Sequence, residues 1–193
     1  MKTTRKNQHA DSRLPQILNE AARLFRTKGF GGTSVRDIAH AVGMLPGSLY
    51  CHFATKEELL MAVYRIGVER ILCSVQIAVA QRANPWERLE MACIAHLDAI
   101  LNDNDYAQVV VRVRPSDIPV ACQGLVELRN QYDDFIASLI KALPLKPGTD
   151  RGVFHLMLMG ALNWSPIWFS PDGRLTPRAI ARNFVEFLRQ GQE

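Results

Sequence analysis

From Leu14 to Lys28 the apolar positions Leu14, Ile17, Leu18, Ala21, Leu24 and Phe25 keep the three-and-four spacing of one helix face. Gly29 ends that helix, Gly31 and Gly32 form a loop, and the hydroxyl of Thr33 offers an N-cap to the next. A short helix from Ser34 to Ala41 follows, with Val35, Ile38 and Val42 on one side and Ala39 small enough for close helix approach. Gly43 supplies the turn, since glycine takes a left-handed backbone conformation without steric cost. From Pro46 to Phe53, Leu49 and Phe53 (i, i+4) point inward and Ser48, Tyr50 and His52 outward. Two short helices about a glycine turn make a helix-turn-helix, the arrangement in which the second helix enters the DNA major groove.

The rest of the chain also reads as helical. Thr55 with Glu58 forms a capping box, and the helix it opens runs to about Gln81 with Leu60, Val63, Tyr64, Gly67, Ile71 and Val75 inward. Asn84-Pro85 is an N-cap followed by proline at the first helical position, opening a helix to about Leu101. Tyr106 to Val113 is β-branched and ambiguous; with no partner strand elsewhere, helix is favoured. Ser116 or Asp117 opens a segment with Leu125, Leu128, Tyr132, Phe135, Ile136 and Leu139 on one face, broken at LPLKPG. Thr149-Asp150 opens a helix toward Trp164, SPDG at 170–173 is a turn, and Thr176-Pro177 starts the last helix. The expectation is an all-α chain of about nine helices: an N-terminal three-helix domain over 11–56, extending to about 71, then a helical domain over 57–193.

Charge sharpens this picture. Residues 1–56 hold nine Lys/Arg against three Asp/Glu, a net of +6, while residues 57–193 hold fourteen against sixteen, a net of −2. A basic head carrying a helix-turn-helix points to a polyanion bound at one end. The 48% apolar content suffices for a core, with disorder expected only over the polar residues 1–12. No apolar run is long enough for a membrane span or a signal peptide, so a cytoplasmic protein with no membrane partner is expected. Cys51, Cys73, Cys93 and Cys122 stand far apart, and the five histidines show no HxxxH or HExxH spacing, so neither a metal site nor a cofactor is expected.

Residues 13–65, of which ILNEAARLFRTKGFGGTSVRDIAHAVGMLPGSLYCHFATKEELL is 17–60, resemble the TetR family of transcriptional regulators. The resemblance implies a two-fold homodimer with an N-terminal DNA-binding domain and a C-terminal domain for ligand binding and dimerisation. By position it implies DNA contacts from Thr33, Ser34, Arg36, Leu45, Pro46, Ser48, Tyr50, His52 and Lys56. Thr33 would cap the second helix and meet a phosphate, Leu45 and Pro46 would face base edges, and Lys56 would reach the backbone. Leu45 and Pro46 offer no side-chain hydrogen bonds, which leaves methyl contacts, Arg36 or DNA shape for readout. The tail GALNWSPIWFSPDGRLTPRAIARNF resembles members that answer to acyl-CoA thioesters or other lipid-derived acids. It implies a dimer seam using Gly160, Ala161, Phe184, Phe187 and Leu188.

Candidate effector contacts are His96, Arg112, Asn163, Trp164 and Trp168. His96 falls on the apolar face of Leu89, Cys93, Leu97 and Ile100, where a satisfied core histidine is the ordinary reading and a polar group lining a ligand cavity the alternative. Arg112 and Arg114 flank valines and suit either an anionic ligand head or surface ion pairs. Trp164 and Trp168 suit packing or stacking, and Asn163 is an amide needing a partner. Cys51 in the recognition helix allows redox release of DNA, although cysteine is more often an apolar filler. The reading is a ligand-responsive DNA-binding repressor. The rivals are a helical carrier or interaction module with a vestigial DNA motif, and a small thioester-acting enzyme, for which no nucleophile–base pair is found.

Overall fold

Nine α-helices build the chain in a computed structural model that describes residues 4–102 and 104–192, with side chains from Arg13 onward. They are α1 (Thr4–Lys28), α2 (Val35–Ala41), α3 (Pro46–Tyr50), α4 (Lys56–Val79), α5 (Pro85–Leu101), α6 (Asp105–Arg112), α7 (Cys122–Lys141), α8 (Arg151–Trp168) and α9 (Pro177–Gln190). Among the described residues there is no strand, and the β-branched run at 106–113 is the helix α6. No helix of the described residues is long and apolar enough to cross a membrane.

The chain divides into two compact units. The first contains residues up to Gly67 together with Asp105–Leu128. Here α1 buries Ile17, Ala21, Leu24 and Phe25, and packs on α6. Tyr106 Oη donates to Asn19 Oδ1 at 2.7 Å, and Arg26 pairs with Asp105 at 2.8 Å, which fixes the register of those two helices. Gly67 makes room for α6 against α4. A Cβ there would lie 2.6 Å from Val110 Cγ2 and 2.7 Å from the Tyr106 carbonyl.

The second unit contains Val68–Asn104 and the chain from Arg129 onward. Its core is α5 against α9, with Leu89, Ala92, Leu97 and Ile100 facing Ile180, Ala181 and Val185 at the level of buried side chains. Arg182 Nε donates to Glu90 at 2.9 Å along the rim of that pair. Asn84 accepts from the Trp86 and Glu87 amides, Asp150 from those of Gly152 and Val153, and Thr176 from that of Ala179, so all three helices open on side-chain caps.

Several boundaries differ from expectation for local reasons. The backbone is helical from Thr4, ten residues before the apolar pattern begins; residues 1–3 lie outside the described residues. α3 is one short turn-and-a-half ending at Tyr50 instead of reaching Phe53. A 3-10 turn at Pro115–Asp117 and Pro119 delay α7 until Cys122, five or six residues later than read from Ser116 or Asp117. α8 passes Trp164 and continues through Pro166 to Trp168.

A candidate DNA interface and a buried polar cluster

Ser34, not Thr33, caps α2. Its side chain accepts from the Asp37 amide at 3.1 Å, while the Asp37 carboxylate accepts from the Ser34 amide at 2.8 Å. The Ser34 hydroxyl, donating to the same carboxylate at 2.7 Å, and then the Ser34 amide hold the Asp37 carboxyl below its ordinary value. Thr33 is buried, and its hydroxyl is spent on the Gly29 and Leu24 carbonyls at 2.8 and 3.2 Å, closing the end of α1. That removes Thr33 as a cap and leaves no hydroxyl there to meet a phosphate. Gly43, at φ +63°, makes the turn, and Leu49 with Ile38 and Ala39 forms the apolar seam between α2 and α3.

The seam orients the outer face. Leu45 is 76% exposed and Tyr50 53% exposed, Ser48 and Arg36 are exposed, Pro46 and His52 half-buried. Ser34, Arg36, Tyr50, Thr55 and Lys56 line one open groove in which the N-termini of α2 and α4 both end. Thr55 Oγ1 accepts from the Glu58 amide at 3.1 Å, but Glu58 reaches back to the Ala54 amide, one residue earlier than a capping box requires. Lys56 is half-buried instead of freely exposed. Its ammonium donates to the Phe30 and Thr33 carbonyls at 2.8 and 2.9 Å and lies 4.1 Å over the Phe30 ring. A lysine at a helix N-terminus, unfavourable for the dipole, is thus held by two carbonyls from the α1–α2 loop. Cys51 is exposed, its thiol directed to the Gly47 carbonyl at 3.6 Å.

In the second unit His96 is 3% exposed. Its Nδ1 lies 2.7 Å from Tyr132 Oη, with the rings stacked at 5.5 Å. Burial pushes the imidazole down to about 4, an effect opposed by Asn163, and pushes the Cys93 thiol up to about 12 and Tyr132 well above its ordinary value. Nε2 nonetheless makes no hydrogen bond of acceptable geometry among the described residues. In the tautomer in which the Tyr132 hydroxyl donates to Nδ1, the neutral ring carries its proton on Nε2, on the side of Asn163. His96 is thus a buried histidine whose Nδ1 is partnered by Tyr132 and whose Nε2 has no partner of acceptable geometry among the described residues.

The other effector candidates separate. Arg112 belongs to the first unit, where Nε donates to Gln108 Oε1 at 3.0 Å. Trp164 is 60% exposed and Trp168 about half exposed, its ring edge-on to Phe184 at 6.4 Å. Both tryptophans lie on an outward stripe with Val153, Leu156, Met157 and Ile167, and so stand outside the buried cluster. Gly160 is exposed within the same stripe and Phe187 on α9 is 70% exposed, while Ala161, Phe184 and Leu188 are half-buried at its edge. Of this stripe Val153, Leu156, Met157 and Ile167 went unread because α8 is apolar nearly all round; their signal was an apolar helix with more faces than one packed neighbour can cover.

Residues 17–63 match the model of the bacterial regulatory proteins of the tetR family, and residues 82–192 match a tetracyclin repressor-like C-terminal domain. The HTH-type transcriptional repressor KstR2 of Mycobacterium tuberculosis is 30% identical, over 94% of this chain and 93% of its own. The fatty acid metabolism regulator protein of Bacillus subtilis is 21% identical, over 91% of this chain and 93% of its own. Among solved structures, AibR in complex with isovaleryl coenzyme A and operator DNA has a TM-score of 0.79 at 28% identity, covering 91% of this chain and 97% of that one. With both halves matched to family models and a helix-turn-helix at the expected place, the chain belongs to the TetR family of transcriptional regulators.

Proposed function

We propose that the protein is a cytoplasmic repressor that binds a palindromic operator as a homodimer and leaves it when a small acyl-CoA-like or lipophilic acid effector binds. The groove lined by Ser34, Arg36, Tyr50 and Lys56 carries this reading. It joins two helix N-termini, a phenol and a guanidinium, a donor set suited to a phosphate backbone. Ser48, the exposed Leu45 and the half-buried Pro46 then face base edges, where Leu45 suits a thymine methyl. His52, half-buried, serves at the rim, and Lys56 acts chiefly by bracing the α1–α2 loop. The functional division is the one read from sequence: residues 11–56, reaching about 71 along α4, read DNA, and 57–193 bind the effector and the second subunit. The dimer seam is the outward stripe of α8 with Phe187 of α9, Gly160 allowing close approach at its middle.

In the tautomer with Tyr132 donating to Nδ1, the buried Nε2–H of His96, with Asn163 beside it, is suited to the carbonyl of an acyl group. The relatives named for fatty acid metabolism and isovaleryl coenzyme A support that class. Occupation must favour a conformation that binds DNA poorly, typically by about 1–3 kcal/mol, for release to follow. The test is selection of genomic fragments on the purified dimer, followed by titration with acyl-CoA thioesters of increasing chain length. Release by one chain-length class supports the reading, and release by none of them removes the effector half of it.

A further inference from the structure

Arg112 and Arg114 serve neither the DNA groove nor the buried histidine cluster, yet both line a cleft of about 500 Å³ that lies wholly within the first unit. The cleft opens where the C-terminal ends of α1 and α6 meet. Phe25, Phe30 and Ile118 supply its apolar wall, and Arg26, Arg112 and Arg114 its positive charge, against the carboxylate of Asp117. Arg26 is balanced by Asp105 at 2.8 Å. Arg112 is pinned through Nε to Gln108 at 3.0 Å and more weakly through one terminal nitrogen to the Arg26 carbonyl at 3.4 Å. Its guanidinium is therefore positioned before any ligand arrives, with a second terminal nitrogen still to donate. The Arg114 guanidinium is exposed and makes no hydrogen bond or ion pair among the described residues.

We propose that this cleft is a binding site for a small anionic molecule, a phosphate or carboxylate carried on an apolar or aromatic body. A fixed guanidinium beside a second one is the group that recognises an oxyanion in two-pronged fashion, and the phenylalanine wall accepts the body that carries it. A duplex phosphate is the lesser fit, because a backbone phosphate makes no use of the apolar wall of Phe25, Phe30 and Ile118. Phe30 gives the site a consequence. The same residue forms the cleft wall, stacks under Lys56, and accepts from it through the main chain. A ligand that shifts Phe30 shifts the lysine at the edge of the DNA groove. That consequence rests on the DNA-binding reading; the binding itself does not.

The test uses the full chain in solution, without DNA, and 1-naphthyl phosphate as the probe, followed by calorimetry. Saturable binding of one probe per chain is expected, at least tenfold weaker in the R112Q/R114Q double variant and unchanged in R189Q, a substitution in the other unit. Thermal melts of the variants should coincide with that of the parent, since all three arginines are exposed. Equal affinity for 1-naphthol, which lacks the anion, overturns the proposal, as does equal affinity in R112Q/R114Q. Weaker binding of R112Q/R114Q to a selected DNA fragment, together with no probe binding by the parent, assigns the two arginines to the DNA backbone and also overturns it.

Discussion

His96 brings a titratable ring into the interior with its ionisation suppressed, and this sets a pH dependence that belongs to one residue. The folded value is about 4, against about 6.5 for an unperturbed histidine. Between those values the unfolded chain holds a proton that the folded chain refuses, so stability falls as pH drops through that window. The contribution is intact above pH 6.5 and its loss near pH 4 is on the order of 3 kcal/mol. Denaturant melts from pH 7 to pH 4 should show this slope in the parent and a flatter one in His96→Gln, which cannot titrate. Ser34 makes a second residue-scale prediction: Ser34→Ala loses the α2 cap and about 1 kcal/mol in a thermal melt, whereas Thr33→Ser keeps the hydroxyl that closes α1. At the DNA face, Arg36→Ala should reduce the slope of log affinity against log salt by about one, and Tyr50→Ala should weaken binding with little change of slope.

The helices themselves were legible because each carries a local signal. The apolar spacing from Leu14 to Phe25, the Asn84-Pro85 opening and the Thr176-Pro177 start all correspond to observed elements. Interactions between adjacent elements were less visible. The cue for Ser34 as cap was present in the Ser34–Asp37 spacing, but the preceding Thr33 is an equally good cap by type, and only its contact with the Leu24 and Gly29 carbonyls separates the two. Lys56 finds its partners 23 and 26 residues away, and His96 and Tyr132 lie 36 residues apart. No spacing rule reports such pairs. The two faces of the second short helix were readable for the opposite reason: the segment is contiguous, so helix periodicity separates the buried Leu49 from the exposed Ser48 and Tyr50, whereas the DNA contacts were implied by the family resemblance. Gly67 tests helix packing directly. Gly67→Ala places a methyl against Val110 and the Tyr106 carbonyl, and should destabilise the protein by about 1–3 kcal/mol in urea, although alanine is the better helix former.

At the scale of the molecule, a basic helix-turn-helix segment matched to the tetR family and a C-terminal part matched to the tetracyclin repressor-like domain support the proposed division between DNA reading and effector sensing. The outward stripe of α8 is the part least explained by a single chain, with Leu156, Ile167 and Trp164 all more than half exposed. Leu156→Asp with Ile167→Asp should give a monomer in sedimentation equilibrium while leaving the helical content unchanged. Operator affinity should then fall steeply, because two half-sites are no longer held together. The central claim is that the α2–α3 face reads DNA, and the most direct measurement is footprinting of the parent and of Tyr50→Ala/Arg36→Ala on fragments selected from the genome of the source cell. The account predicts protection of an inverted repeat with its half-site centres about one helical turn apart, roughly 34–36 Å, and at least a tenfold weaker footprint in the double variant. Selection that enriches no sequence, or a footprint of equal strength in the double variant, would contradict it.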